Sequence, residues 1–235
     1  MTDHLIIRLA VKVFPLRTPR DFEGVDLAGL KPKYRKREVA NILAFFIIAP
    51  ILVHALQARF VAHGERFTPP PEAICALTPY PGFWYVPATF LGIVLACALI
   101  HLGNRWSLPD GGREYRYWSD AKTGFAASKL FLTMGALVAA GGIAIAYYAA
   151  ESHLVFTPTG LTFQRMWSTQ EEQHPYSDIR ALKQVIDSDG QTSEFRIEFN
   201  DADPWSSAQE EIFPEPEHKA LLERATGIKI EDISK

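Results

Sequence analysis

Three stretches of this 235-residue chain contain no Asp or Glu at all: residues 39–61, 83–103 and 128–150. Carboxylates inside a membrane are the usual carriers of protons and cations, so their absence from long apolar runs disfavours a transport core. Cysteine is nearly as scarce. Cys75 falls in a Pro-rich loop and Cys97 inside an apolar run, so the two are poorly placed to pair. Catalytic signatures are missing as well: no Ser stands in a GxSxG setting, no His in HExxH, and no Cys follows Glu151. Neither enzymatic activity nor a bound cofactor or metal is expected. The N-terminus lacks the look of a cleavable leader, since Asp21, Glu23 and Asp26 occur there and no small-residue cleavage pattern follows the first apolar run. That run is expected to stay as an anchor.

What is present divides the chain in two. Residues 1–150 carry 16 Lys plus Arg against 10 Asp plus Glu, whereas residues 151–235 carry 8 against 17, a formal balance of −9. The hydrophobic pattern changes at the same place, from long runs to short alternating ones. About 20 apolar residues at about 1.5 Å each cross a bilayer core about 30 Å thick, and each carboxylate-free run has that length. The expected organisation is a cytoplasmic segment 1–38 with a possible interfacial helix, a three-helix membrane region 39–150, and a soluble domain 151–235.

Positive charge near span ends sets direction. Arg20, Lys31, Lys33, Arg35, Lys36, Arg37, Arg105, Arg113, Arg116 and Lys122 lie on one side and Arg66 and Arg165 on the other, ten against two. The N-terminus is therefore expected in the cytoplasm of a bacterial cell, with the C-terminal domain outside its inner membrane. Phe83, Trp84 and Tyr85 would share an interfacial belt with Tyr147 and Tyr148. Small residues trace one face of the second span, Ala88, Gly92 and Ala96, and one of the third, Gly135, Ala139, Gly142, Ala146 and Ala149. Those faces are expected to pack on each other or on a partner. Leu5–Phe14 reads as an interfacial helix with Arg8 and Lys12 on one side, although alternating Ile7, Leu9, Val11 and Val13 leave a short strand open. Thr18–Lys33 reads as a loop.

Histidines in the spans offer little chemistry. His54 and His101 would differ in depth by roughly 20 Å on the helical rise, too far apart to ligate one iron. The loop 104–127 interleaves Arg105, Trp106, Arg113, Tyr115, Arg116, Tyr117 and Trp118, a mixture expected at lipid headgroups rather than stacked on nucleotide bases. Glu171, Glu172, Glu210 and Glu211 are read as solvated pairs, and Asp187, Asp189, Asp201 and Asp203 do not match an EF-hand loop.

Beyond Glu151, strands are expected at 154–156, 161–167, 179–186 and 194–199, with a further candidate at 205–213, then a helix from Pro214 to Thr226 stopped by Gly227. That makes a small antiparallel β-barrel or sandwich capped by a C-terminal helix. The opening TPTGLTFQRMW, the entry Tyr176, Ser177, Asp178 and Ile179, the RIEFNDADPW turn and the closing KALLERATGI resemble the bacterial pleckstrin-homology-like domains that follow transmembrane helices. The resemblance implies that Trp167 and Ile179 are core residues. Eukaryotic relatives bind phosphoinositides through a basic loop between the first two strands. Here the corresponding turn, Thr157–Gly160, has no Lys or Arg. Anionic lipid would repel so acidic a domain. The expected function class is a membrane accessory, assembly or stability subunit docked on a larger complex, with membrane lipids and a protein as partners and no nucleic acid. The alternatives are a subunit taking a direct part in transport or redox turnover, and a membrane-anchored lipid or protein sensor.

Overall fold

The computed structural model describes residues 10–16, 18, 22–188 and 190–234. Two compact units divide the chain: Met1–Leu56 with Pro87–Ile143, and Gln57–Val86 with Ala144–Lys235. The division cuts across chain order, because the loop after the first apolar run belongs with the C-terminal sheets. Arg8, Arg20 and Asp189, named above, lie outside the described residues. Residues 10–13 are helical and Lys12 among them is exposed.

Among the described residues three helices are long and apolar enough to cross a membrane: α1 (Leu27–Gly64), α2 (Tyr85–Ser107) and, after a shorter α3 (Arg113–Thr123), α4 (Ala127–Glu151). The first begins inside the stretch expected as loop. Asp26 is the reason, since its carboxylate accepts the free N–H groups of Ala28 and Gly29 at 2.9 and 3.1 Å. Pro32 and Pro50 are both carried within α1. α3 also replaces expected loop. Asp110 accepts the N–H of Gly112 at 3.1 Å at its start, and left-handed Gly124 closes it by donating to the carbonyls of Asp120 and Ala121. The Asp120 carboxylate then takes both the N–H and the hydroxyl of Ser128 at 2.8 Å, so the end of α3 caps the start of α4.

The second unit holds two four-stranded sheets, ordered β1-β2-β3-β4 and β7-β6-β5-β8. Their strands are β1 (Cys75–Leu77), β2 (His153–Phe156), β3 (Gly160–Gln164), β4 (Glu171–Pro175), β5 (Ile179–Ile186), β6 (Thr192–Phe199), β7 (Trp205–Ser206) and β8 (Ile230–Ser234). One core joins both sheets, built from Leu154, Phe156, Phe163, Leu182, Phe195 and Trp205 among others. Pairing is antiparallel except between β5 and β8, which run parallel. The expected strand 205–213 is cut to two residues, because Ser206 caps a short helix α5 (Ser207–Glu210) by accepting the N–H of Gln209. The closing helix forms as α6 (Pro216–Thr226), and Gly227 stops it.

Three strands were not expected. β4 is polar up to its terminal proline, β8 follows the helix that was to end the domain, and β1 comes from the loop between α1 and α2. β1 lies antiparallel on β2, with Cys75 opposite Phe156, Ala76 opposite Val155 and Leu77 opposite Leu154. Two aromatic assignments are corrected. Ile179 is in the core, but Trp167 is 63% exposed. Trp84, expected in an interfacial belt, is only 2% exposed and packs on Phe60 at 5.9 Å, above Gly64, where a Cβ would stand 3.0 Å from the indole.

Candidate functional site

The polar end of the helical unit is the most organised cluster outside a hydrophobic core. Helix spacing places Tyr34, Arg37, Glu38 and Asn41 where α1 meets α2 and α3. Arg37 Nε donates to Asn104 Oδ1 at 2.6 Å, and its Nη2 donates to both the Gly103 carbonyl and the Ser107 hydroxyl. Asn41 donates to Tyr115 Oη at 3.0 Å. The Glu114 carboxylate accepts from Lys33 Nζ and Tyr34 Oη, both at 2.6 Å, and these bonds, Lys33 first, hold its carboxyl below the usual range. Tyr34, Tyr115 and Trp118 form one aromatic group with centroids 5.3–5.9 Å apart. Two aromatics expected at headgroups therefore serve helix packing, whereas Trp106 is largely exposed.

Beside this cluster a groove of about 570 Å³ runs between α1 and α3, lined by Leu27, Ala28, Lys31, Arg35, Glu38, Trp118 and Lys122. Lys122 is held at one end, 2.7 Å from Glu38 and over the Trp118 ring.

The small residues are divided between neighbours. Ala88, Gly92 and Ala96 are buried, and a Cβ on Gly92 would stand 2.6 Å from Val53 Cγ2 and 3.0 Å from Val53 N, so this stripe fits α1. Gly142 lies against Pro87, Phe90 and Leu91, and Gly135 nearest Val94, on a different side of α2. Ala139 and Ala146 are half-buried. The two stripes thus do not face each other. Large side chains elsewhere on α1 and α4, such as Phe46, Ile47, Phe131 and Leu132, stay open.

In the second unit the helix ends are fastened to the sheets. Phe67 stacks on His153 at 4.5 Å, and His153 Nδ1 lies 2.8 Å from the Glu151 carbonyl. Tyr80 donates its N–H to the Glu211 carbonyl at 2.9 Å and packs its ring on Phe213. Tyr148 meets exposed Trp167 at 5.5 Å and Tyr147 at 5.4 Å, while Phe83 is half-buried and Tyr85 exposed.

Other expected groups are dispersed or reassigned. His54 and His101 lie on exposed helix faces. Among the described residues one group has metal-ligand spacing, Glu215, Glu217 and His218, but His218 Nδ1 already accepts the Glu215 N–H as part of a helix cap. The acidic pairs are not simply solvated. Glu210 is 4% exposed and accepts the Met166 N–H at 2.5 Å, with burial pushing its carboxyl upward. Glu172 takes Arg165 at 2.8 Å, and Arg165 also donates to the carbonyls of Asp203 and Pro204. The amphipathic spacing of REYRYWSDAKT could have revealed α3 and its buried Trp118. Comparisons with protein-family models, curated proteins and solved structures found no match.

Proposed function

We propose that this chain is a non-enzymatic accessory or assembly subunit of a larger membrane complex. It crosses a bacterial inner membrane three times with its N-terminus in the cytoplasm, and its pleckstrin-homology-like domain meets a protein partner outside. The observation that carries this reading is the β1–β2 pairing. A domain joined only through Glu151 would swing on one connection, whereas a strand from the first loop gives a second attachment within the same sheet. With Trp84 packed against Gly64 and Tyr80 bonded to Glu211, the domain is built on helix ends. Such a body suits docking on a protein partner. Two sheets around one core with a helix alongside support the pleckstrin-homology-like assignment.

The charge asymmetry supplies the direction. Ser188 is exposed in the β5–β6 turn and open to labelling. In a background lacking Cys75 and Cys97, Ser188→Cys should react with a membrane-impermeant maleimide in intact cells that admit it to the outer face. Reaction only after lysis reverses the topology. Docking is tested separately by mild solubilisation of native membranes: the chain should migrate with another polypeptide at fixed stoichiometry, and migration as a lone chain refutes the accessory role.

A further inference from the structure

The groove between α1 and α3 has a charge pattern that the polar cluster beside it does not explain. Lys31, Arg35 and Glu38 follow at helical spacing on α1, and Trp118 and Lys122 on α3, so both walls present one face to a shared space. Lys122 is committed to Glu38. Lys31 and Arg35 are exposed, and no ion pair or hydrogen bond with a described residue holds either. Three cations against one carboxylate leave the groove positive by two. Its walls are not uniformly polar: Leu27 and Ala28 line it together with Trp118. A space of about 570 Å³ is of the size that holds a small amphipathic ligand.

We infer that this groove binds the headgroup of an anionic glycerophospholipid, with its phosphodiester at Lys31 and Arg35 and the start of its chains against Leu27 and Trp118. The inference rests on the proposed membrane insertion. Three observations carry it together. The free cations match a phosphate, the apolar wall matches what lies directly below a phosphate in a lipid, and the groove sits where the long apolar stretch of α1 gives way to its basic end. Basic pockets beside membrane helices on the cytoplasmic side are suited to such headgroups. Zwitterionic lipid, whose own ammonium cancels the attraction, should be discriminated against, and a free anion would leave the apolar wall unused.

The test uses the full chain, delipidated in a neutral detergent and titrated with phosphatidylglycerol or with phosphatidylcholine of the same chains, bound lipid being counted by native mass spectrometry. A surface cation contributes about fivefold in binding, so the pair contributes about thirtyfold. Phosphatidylglycerol should bind at least about tenfold more tightly than phosphatidylcholine. The double variant Lys31→Gln, Arg35→Gln should weaken it about thirtyfold, while Lys31→Arg with Arg35→Lys should keep it. Arg59→Gln, at the other end of α1, should leave binding unchanged. An unaltered thermal midpoint shows that the double variant folds. Equal binding of the two lipids, or full binding by the folded double variant, overturns the inference. Displacement of phosphatidylglycerol by millimolar inorganic phosphate overturns it in favour of a free-anion site. Resistance of the chain to carbonate extraction, measured in parallel, separates failure of the groove from failure of the membrane assignment.

Discussion

Replacing Gly92 by Ala adds one methyl group where α2 lies against Val53 of α1. The new carbon would stand 2.6 Å from Val53 Cγ2, 3.0 Å from Val53 N and 3.2 Å from Val53 Cα. Carbon atoms settle at about 3.5–4.0 Å. Rotation of Val53 can relieve the first contact but neither backbone contact, so α1 and α2 must separate by several tenths of an ångström. Overpacking of this kind costs about 1–3 kcal/mol. Gly103 supplies the control on the same helix, because a Cβ there meets nothing within 4 Å. Gly103→Ala should be neutral or stabilising by up to about 1 kcal/mol, through reduced backbone freedom. Val53→Ala alone removes two methyl groups and should cost about 1–2 kcal/mol. In the double variant the 2.6 Å contact is gone but both backbone contacts remain, so Gly92→Ala should still destabilise in the Val53→Ala background. Loss of helical circular dichroism on titration of dodecylmaltoside micelles with dodecylsulfate measures the four variants against the parent. A Gly92→Ala variant as stable as Gly103→Ala, or a double variant as stable as Val53→Ala, would refute the packing argument.

The sheets allow two further tests. A Cβ on Gly160 would stand 2.2 Å from the His174 carbonyl oxygen and 2.8 Å from Pro175 Cα, where β3 begins opposite the end of β4. Gly160→Ala should therefore cost about 1–3 kcal/mol in thermal unfolding, and a midpoint equal to that of the parent chain would show that the strands are not so close. Glu210 tests pH dependence. Burial raises its folded-state pKa, so the penalty for holding it charged is fully present above that value and is relieved as pH falls through it toward the ordinary glutamate value of 4.5. Glu210→Gln keeps an acceptor for the Met166 N–H without the charge. It should be more stable than the parent at neutral pH and lose that advantage on acidification, and a constant difference across that range would contradict the burial argument.

The helices were legible because a bilayer-length apolar run without carboxylates has few other uses: α1 and α4 contain their expected spans, and α2 begins two residues inside its own, at Tyr85. Their extensions were not, because they depend on single caps. Asp26 and Asp110 look like ordinary loop acids until a free N–H is known to face them. The closing helix and the β5–β6 hairpin were legible for the same local reasons, a proline start, a glycine stop and a turn at residues 187–190. Trp205 begins as a strand and becomes a helix within two residues, since the Ser206 hydroxyl both donates to Glu194 and accepts the Gln209 N–H.

The less legible residues share a physical feature: their environment comes from a segment distant in sequence. β1 has three residues, too few for a period, and is a strand only because β2 lies beside it. β4 alternates in burial although none of its residues is apolar except a terminal proline, because His174 stacks on Phe199 at 4.2 Å and Glu172 is taken by Arg165. Adjacent carboxylates likewise look solvated along the chain, yet Glu210 is buried under a backbone amide contributed 44 residues earlier. The groove follows the same logic. Lys31 and Arg35 were counted for topology, where only their number on one side matters, but their capacity to hold a ligand depends on α3 bringing Trp118 and Lys122 alongside. Charge counts along a sequence can assign a side of the membrane. A binding site additionally requires that the charges be left unpaired once the helices have packed, and among the described residues Glu38 and Glu114 take Lys122 and Lys33 while none pairs with Lys31 or Arg35.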